Sequence, residues 1–226
     1  MLKRIIAMAG LLIIAVAAPG LAQGKVEATV LGGWSFSDGV SGQTILAGDG
    51  NFYDRIDPKD GALFGLGFGV LFSDNAEAGF MWTRQSSKLL LGGVGSQGST
   101  DREIGDFSVM HYHGYLAYNF GEVDAPIRPF LYGGLGATHF GSTDFSTPFR
   151  SGTIDGNTQF STTWGAGVKF FVSPRIGFRA AASWTPTYVK SDASGYWCDP
   201  FWGCYLVGDP QYSNQIHLSG GVTFRF

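Results

Sequence analysis

The 226 residues carry few charges: 15 Lys and Arg against 18 Asp and Glu, 15% of the chain, where ordinary soluble domains carry about a quarter. A formal net charge of −3 with no basic stripe excludes nucleic acid as a partner. Glycine (35) and phenylalanine (19) are abundant, and beyond residue 22 no apolar run approaches the roughly 20 residues of a membrane helix.

Residues 1–22 read as a secretory signal. Lys3 and Arg4 form its basic end, residues 5–18 its apolar run, and Pro19-Gly20-Leu21-Ala22 a small-x-small cleavage pattern. Residues 23–226 then make one all-β domain. Period-two alternation predicts eight strands. Residues 25–36 put Val26, Ala28, Val30, Trp34 and Phe36 on one face. Residues 62–72 put Phe64, Leu66, Phe68, Val70 and Phe72 outward, with Gly65, Gly67 and Gly69 inward. Residues 76–85 follow with Ala76, Ala78, Phe80 and Trp82 outward, then 107–120 with Met110, Tyr112, Leu116, Tyr118 and Phe120. Residues 127–140 have apolar side chains on both faces, which leaves their register open. Residues 159–172 present Phe160, Trp164, Ala166, Val168 and Phe170, and 175–189 present Ile176, Phe178, Ala180, Ala182, Trp184 and Tyr188. In the last strand Tyr212, Ile216, Leu218, Val222, Phe224 and Phe226 alternate with Ser213, Gln215, His217, Ser219, Thr223 and Arg225. Each segment is long enough to cross hydrocarbon at a tilt.

The connections fall into two classes. Residues 73–75, 121–126 and 173–174 are short, whereas 37–61, 86–106, 141–158 and 190–211 are long, polar and read as loops. That alternation predicts an eight-stranded antiparallel transmembrane β-barrel with short periplasmic turns and long extracellular loops. Outward Trp34, Trp82, Trp164, Trp184, Tyr112, Tyr118 and Tyr188 supply its aromatic girdles.

With Pro129-Phe130-Leu131-Tyr132-Gly133-Gly134-Leu135-Gly136, Trp164-Gly165-Ala166-Gly167-Val168-Lys169 and Val222-Thr223-Phe224-Arg225-Phe226 in view, the chain resembles the small outer-membrane barrels that include the OmpA transmembrane domain, OmpX and the opacity-type surface antigens. The resemblance implies the bacterial outer membrane as location and lipid or lipopolysaccharide as surroundings. It also implies that the assembly machinery reads the terminal strand through Phe226. The peptidoglycan-binding domain of full-length OmpA-type proteins has no counterpart here, so no cell-wall tether is expected.

Alternation turns Glu27, Glu77, Lys169, Arg179 and Arg225 into the lumen, all near the turn end. Buried charges have to be paired, so the expectation is a salt-bridge cluster, acting either as a plug that fixes register or as a gate whose pairs exchange. The inward glycines at 65, 67, 69, 165 and 167 are expected to leave local voids, yet no wide pore, because eight strands enclose little more than their own side chains. His111, His113 and His217 face inward near mid-strand. Lumen hydrogen bonding is their expected role, with no metal and no cofactor. His217-Leu218-Ser219 resembles the His-x-Ser pair of outer-membrane lipid A deacylases, but its inward direction argues against lipid chemistry, and no catalytic residue is expected.

The fourth loop carries the chain's two cysteines, Cys198 and Cys204, among Tyr196, Trp197, Phe201, Trp202 and Tyr205. An oxidising envelope predicts a disulfide between them. The aromatics form a candidate contact for an extracellular ligand, or pack on neighbouring loops or lipopolysaccharide. The acidic stretch 49–60 fits no EF-hand spacing. The functional expectation is therefore a monomeric, non-enzymatic structural barrel with surface-contact loops. A narrow ion channel is the alternative, and a lipid-modifying enzyme a third reading.

Overall fold

The computed structural model describes residues 26–46, 52–95, 98–147, 150–189, 196–199, 203–206 and 211–226. The expected signal segment, the first residues of the acidic stretch, Phe201 and Trp202 lie outside them. The strands are β1 (Val26–Ser37), β2 (Val40–Leu46), β3 (Phe52–Pro58), β4 (Gly61–Leu71), β5 (Ala76–Gly95), β6 (Gly98–Asn119), β7 (Ile127–Phe140), β8 (Thr143–Thr147), β9 (Arg150–Ile154), β10 (Asn157–Phe171), β11 (Ile176–Val189), β12 (Tyr196–Asp199), β13 (Gly203–Leu206) and β14 (Gln211–Arg225).

Eight of them close a ring. Around it run β1, β4, β5, β6, β7, β10, β11 and β14, each antiparallel to its neighbours, and β14 returns to β1. Closure leaves no unpaired edge within the wall, which a strand in hydrocarbon requires. Val30, Leu66, Phe80, Leu116, Leu131, Leu135, Phe178 and Leu218 point away from the lumen and are 46–64% exposed. In water so continuous an apolar band would drive association. Against lipid tails it carries no such penalty.

The short turns match their expectation. Two of them repeat one construction. In the β4–β5 turn Phe72 N donates to Ala76 O and Ser73 Oγ accepts from Ala76 N; in the β10–β11 turn Val172 N donates to Ile176 O and Ser173 Oγ accepts from Ile176 N. The β6–β7 turn instead uses Gly121 at φ +85°, a backbone conformation that a side chain disfavours. Phe226 N donates to Val26 O at the same end of the barrel.

The four stretches read as long polar loops contain strands, and this corrects the sequence reading. The β5–β6 hairpin runs on to Gly95↔Gly98, far beyond the predicted ends at residues 85 and 107. β3 pairs with the extension of β5, and β2 with β3, so a four-stranded sheet stands above the barrel rim. β8–β9 and β12–β13 are separate hairpins. These segments meet water rather than lipid, so the alternation that marks the barrel strands is weak in them. Ion pairs replace it: Lys59 and Lys88 donate to Glu103 at 2.7 and 2.6 Å. The bonds from Lys59 and Lys88 hold that carboxyl down at about 2.

Candidate functional site

Because successive strand residues alternate, every second side chain of the ring enters one narrow lumen, and they fill it in layers. At the turn end sit the charges. Cross-strand register puts Arg128 (β7) opposite Lys169 (β10), and Lys169 opposite Arg179 (β11). Glu27 (β1) pairs in register with Arg225 (β14), and Glu77 projects from β5. Lys169 Nζ donates to Glu27 Oε2 at 2.5 Å and to Glu77 Oε2 at 2.6 Å. Arg225 Nη2 and Nε donate to Glu27 Oε1 at 2.9 and 3.2 Å. Glu77 also accepts from Tyr115 Oη at 2.8 Å and Asn119 Nδ2 at 3.1 Å. Lys169 and Glu77 are each 1% exposed and Glu27 2%. In so dry a setting each pair holds only because the remaining lone pairs are also taken.

Four of the five residues expected in this cluster, Glu27, Glu77, Lys169 and Arg225, are brought into direct contact. Arg179 is not ion-paired within it. Its guanidinium stacks on ring faces instead, 4.4 Å from the Phe130 centroid and 5.5 Å from that of Tyr132. Arg225 likewise lies 3.8 Å over Phe171.

The next layer is apolar, which the sequence reading missed. Phe130, Tyr132 and Tyr115 pack with Leu31, Leu63, Met81 and Ala117. The voids expected at the inward glycines are absent. Tyr132 lies over Gly165 and Phe130 over Gly167, where an added Cβ would come within 2.6 Å of each ring's Cζ. The Glu77 carboxylate and Tyr115 Oη cover Gly69, Leu31 and Thr83 cover Gly65, and Thr29 faces Gly67. Gly165 and Gly167 are the space into which the rings of Tyr132 and Phe130 fit.

Above the rings lies a polar layer. His111 Nδ1 shares a 2.9 Å hydrogen bond with Thr138 Oγ1, and His113 Nε2 another with Ser161 Oγ at 2.9 Å. His217 sits 4.9 Å from His111, centroid to centroid. Nε2 of His111 and of His217 has no protein partner. Among the described residues no set of three or more His, Cys, Asp or Glu side chains is disposed to hold a metal. Ser219 Oγ donates to Ala181 O at 3.4 Å rather than to His217, so the structure does not form the His-x-Ser pair into a nucleophile and base. Gln85 and Gln215 bond to each other and to Ser37 higher up, and Leu89, Phe107 and Val109 with Phe140 close the loop end.

Arg128, Tyr115, Asn119, Phe130 and Tyr132 were not assigned to the lumen from sequence, Phe130 and Tyr132 having been noted only for the resemblance they carry. One signal was available. An arginine in a membrane-crossing strand favours the lumen face, so Arg128 points to the register of β7 that also carries Phe130 and Tyr132 inward.

No protein-family model and no curated protein matches the chain. Solved structures do. The outer membrane protein OprG of Pseudomonas aeruginosa aligns over 90% of this chain and 97% of its own, with 14% identity and a TM-score of 0.54. The outer membrane protein AlkL, solved by solid-state NMR in lipid bilayers, aligns over 92% of each chain with 14% identity and a TM-score of 0.51. The outer membrane protease OmpT of Escherichia coli covers 91% of this chain and 98% of its own, with 9% identity and a TM-score of 0.50. The fold is that of the outer-membrane β-barrels.

An outer-membrane barrel of this kind presents its aromatic residues at the lipid boundary. Trp34, Trp164, Trp184, Tyr112 and Tyr118 are 40–54% exposed on the outer wall, and Trp82 packs edge-on to Phe64 at 5.9 Å. In the fourth loop the backbone of β12–β13 puts Cys198 directly opposite Cys204. Directly opposed residues of an antiparallel pair have Cα atoms about 4.5–5.5 Å apart, inside the range that a disulfide spans.

Proposed function

We propose that the protein is a bacterial outer-membrane barrel whose lumen is sealed and whose work is done by the structure above the rim. The observation that carries this reading is the continuous filling of the lumen: a charge cluster, an aromatic layer, a histidine and hydroxyl layer, paired glutamines and an apolar cap. Lipid is the solvent of the wall, lipopolysaccharide surrounds the rim, and Phe226 is the signal read by the assembly machinery. The barrel works as a monomer and not as an enzyme, a reading supported by Ser219 Oγ donating to Ala181 O rather than to His217.

Conductance tests the seal. Protein refolded into a planar bilayer, with folding checked by heat-sensitive gel mobility, is expected to show no reproducible current steps. Steps from folded protein would overturn the sealed reading. They would favour a second one, a gate, which rests on Lys169 serving two carboxylates at once and so being able to release one while holding the other.

The surface-contact role rests on the sheet formed by β2, β3, β5 and β6 and on the β12–β13 hairpin, closed by a Cys198–Cys204 disulfide that pre-organises Tyr196, Trp197, Phe201, Trp202 and Tyr205. Cells displaying the protein are expected to bind an extracellular-matrix-coated surface. Serine at positions 197, 201 and 202 should lower that binding by about tenfold or more, the scale of losing one interface hot spot. Reduction of the disulfide should weaken it in the same direction. Binding unchanged by the substitutions and by reductant would refute the role assigned to this hairpin.

A further inference from the structure

The charges at the turn end of the lumen do not balance. Two carboxylates, Glu27 and Glu77, face four cations: Arg128, Lys169, Arg179 and Arg225, all buried. The carboxylate oxygens are taken. Glu27 gives Oε1 to Arg225 and Oε2 to Lys169, while Glu77 gives Oε1 to Tyr115 and Oε2 to Lys169 and Asn119. Arg179 has ring faces for compensation. Arg128 has neither a carboxylate nor a ring.

Its guanidinium is fully buried, at 0% exposure. Nη2 donates to the backbone carbonyl of Asp74 at 2.6 Å. Nε and Nη1 have no acceptor in the protein. Besides its burial, the positive charge of Arg225 weighs against it, while the carboxylates of Glu27, Glu77 and Asp74 act on it favourably from beyond hydrogen-bond reach; Arg225 itself donates Nη1 to the carbonyl of Val123 in the β6–β7 turn at 3.3 Å. A buried guanidinium with two N–H groups unbonded and no carboxylate in contact is costly. Arginine cannot shed its proton to escape that cost. Water from the turn side would satisfy the two donors, but an anion would both accept from them and offset the excess positive charge.

We propose that the turn end of the lumen binds a small inorganic anion on the free Nε–H and Nη1–H groups of Arg128, in the field of Arg225. The site lies beside the β4–β5 and β6–β7 turns, so the anion comes from the aqueous side of those turns and crosses no part of the barrel. Charge-assisted N–H···O bonds to a guanidinium are the strong kind, and the excess of positive charge in the cluster selects against cations. The Asp74 carboxylate, on the exposed β4–β5 turn, is the protein's own competing partner.

Inorganic phosphate is the probe. In the folded full barrel, with arginine side chains followed by 15N NMR, phosphate is expected to produce a saturable shift of the Arg128 Nε–H signal. Arg175, exposed on the β10–β11 turn, should drift without saturating. Arg128→Lys keeps the charge with fewer fixed donors and should weaken binding by about tenfold. Arg128→Met should abolish it and, with phosphate absent, leave the barrel at least as resistant to urea as the parent, because an unpaired charge has been removed. Equal drift at both arginines, or no shift at all, would overturn the proposal. So would a marked loss of phosphate-free stability in Arg128→Met, since the charge would then be compensated already from within the protein, by Asp74 above all.

Discussion

Lys169→Met is expected to destabilise the folded barrel by about 3–5 kcal/mol, the usual result of removing one partner from a buried ion pair. The reason is specific to this lumen. One ammonium serves Glu27 at 2.5 Å and Glu77 at 2.6 Å, so its loss leaves Glu77 with only the neutral donors Tyr115 and Asn119. Methionine keeps most of the volume and the contact with Phe130, whose ring centre lies 5.6 Å from Nζ. Urea unfolding from lipid vesicles, followed by gel mobility, measures the effect. Adding Glu77→Gln to the variant removes the orphaned charge and should recover a large part of the loss, so that the two substitutions couple strongly in a double-mutant cycle. A single variant as stable as the parent would mean that the charge cluster does not hold the barrel together.

Phe130→Ala is the second large effect. The ring is 1% exposed, and truncating a buried phenylalanine costs about 3–5 kcal/mol through lost contacts and the cavity left behind. Here the same ring also stacks with Tyr132 at 6.0 Å and offers its face to Arg179 at 4.4 Å. Arg179, and Lys169 at 5.6 Å, therefore lose a compensating surface together. Phe130→Leu separates the contributions: it restores much of the volume and none of the ring face, so it should recover about half of the loss. Full recovery by leucine in the same urea titration would remove the cation–ring contacts from the account. With Phe130 gone, the space over Gly167 becomes the one place where the aromatic layer is broken.

Much of the barrel is legible in the sequence because lipid acts alike on every outward side chain. Within a wall strand one face meets hydrocarbon throughout, so Ile216, Leu218, Val222 and Phe224 alternate with Gln215, His217, Thr223 and Arg225 whatever the neighbouring strands contribute. The same rule turns Glu27, Glu77, Lys169, Arg179 and Arg225 inward without any knowledge of their partners. It falls silent where hydrocarbon no longer covers one face. Above the rim that uniform lipid side is gone, so β2, β3 and the upper halves of β5 and β6 read as loops; their pairing is decided by ladders that continue the hairpin upward. It also falls silent where the lumen itself is apolar. Inward Phe130 and Tyr132 erase the alternation of β7, and Arg128 goes unread between Ile127 and Pro129.

What only the tertiary structure decides is which inward groups meet. Lys169 and Glu77 are 92 residues apart, and Arg225 and Glu27 198. Nothing local to either partner encodes that Lys169 bridges two carboxylates while Arg179 turns to a ring and Arg128 to a backbone carbonyl. His217 and Ser219, two residues apart on one face, meet different neighbours for the same reason: the ring of His217 lies beside His111, and Ser219 Oγ donates to Ala181 O. A strand's alternation sets which side of the wall a residue takes, because the solvent on each side is uniform. Contacts across the lumen depend on ring closure and register, which belong to all eight strands at once.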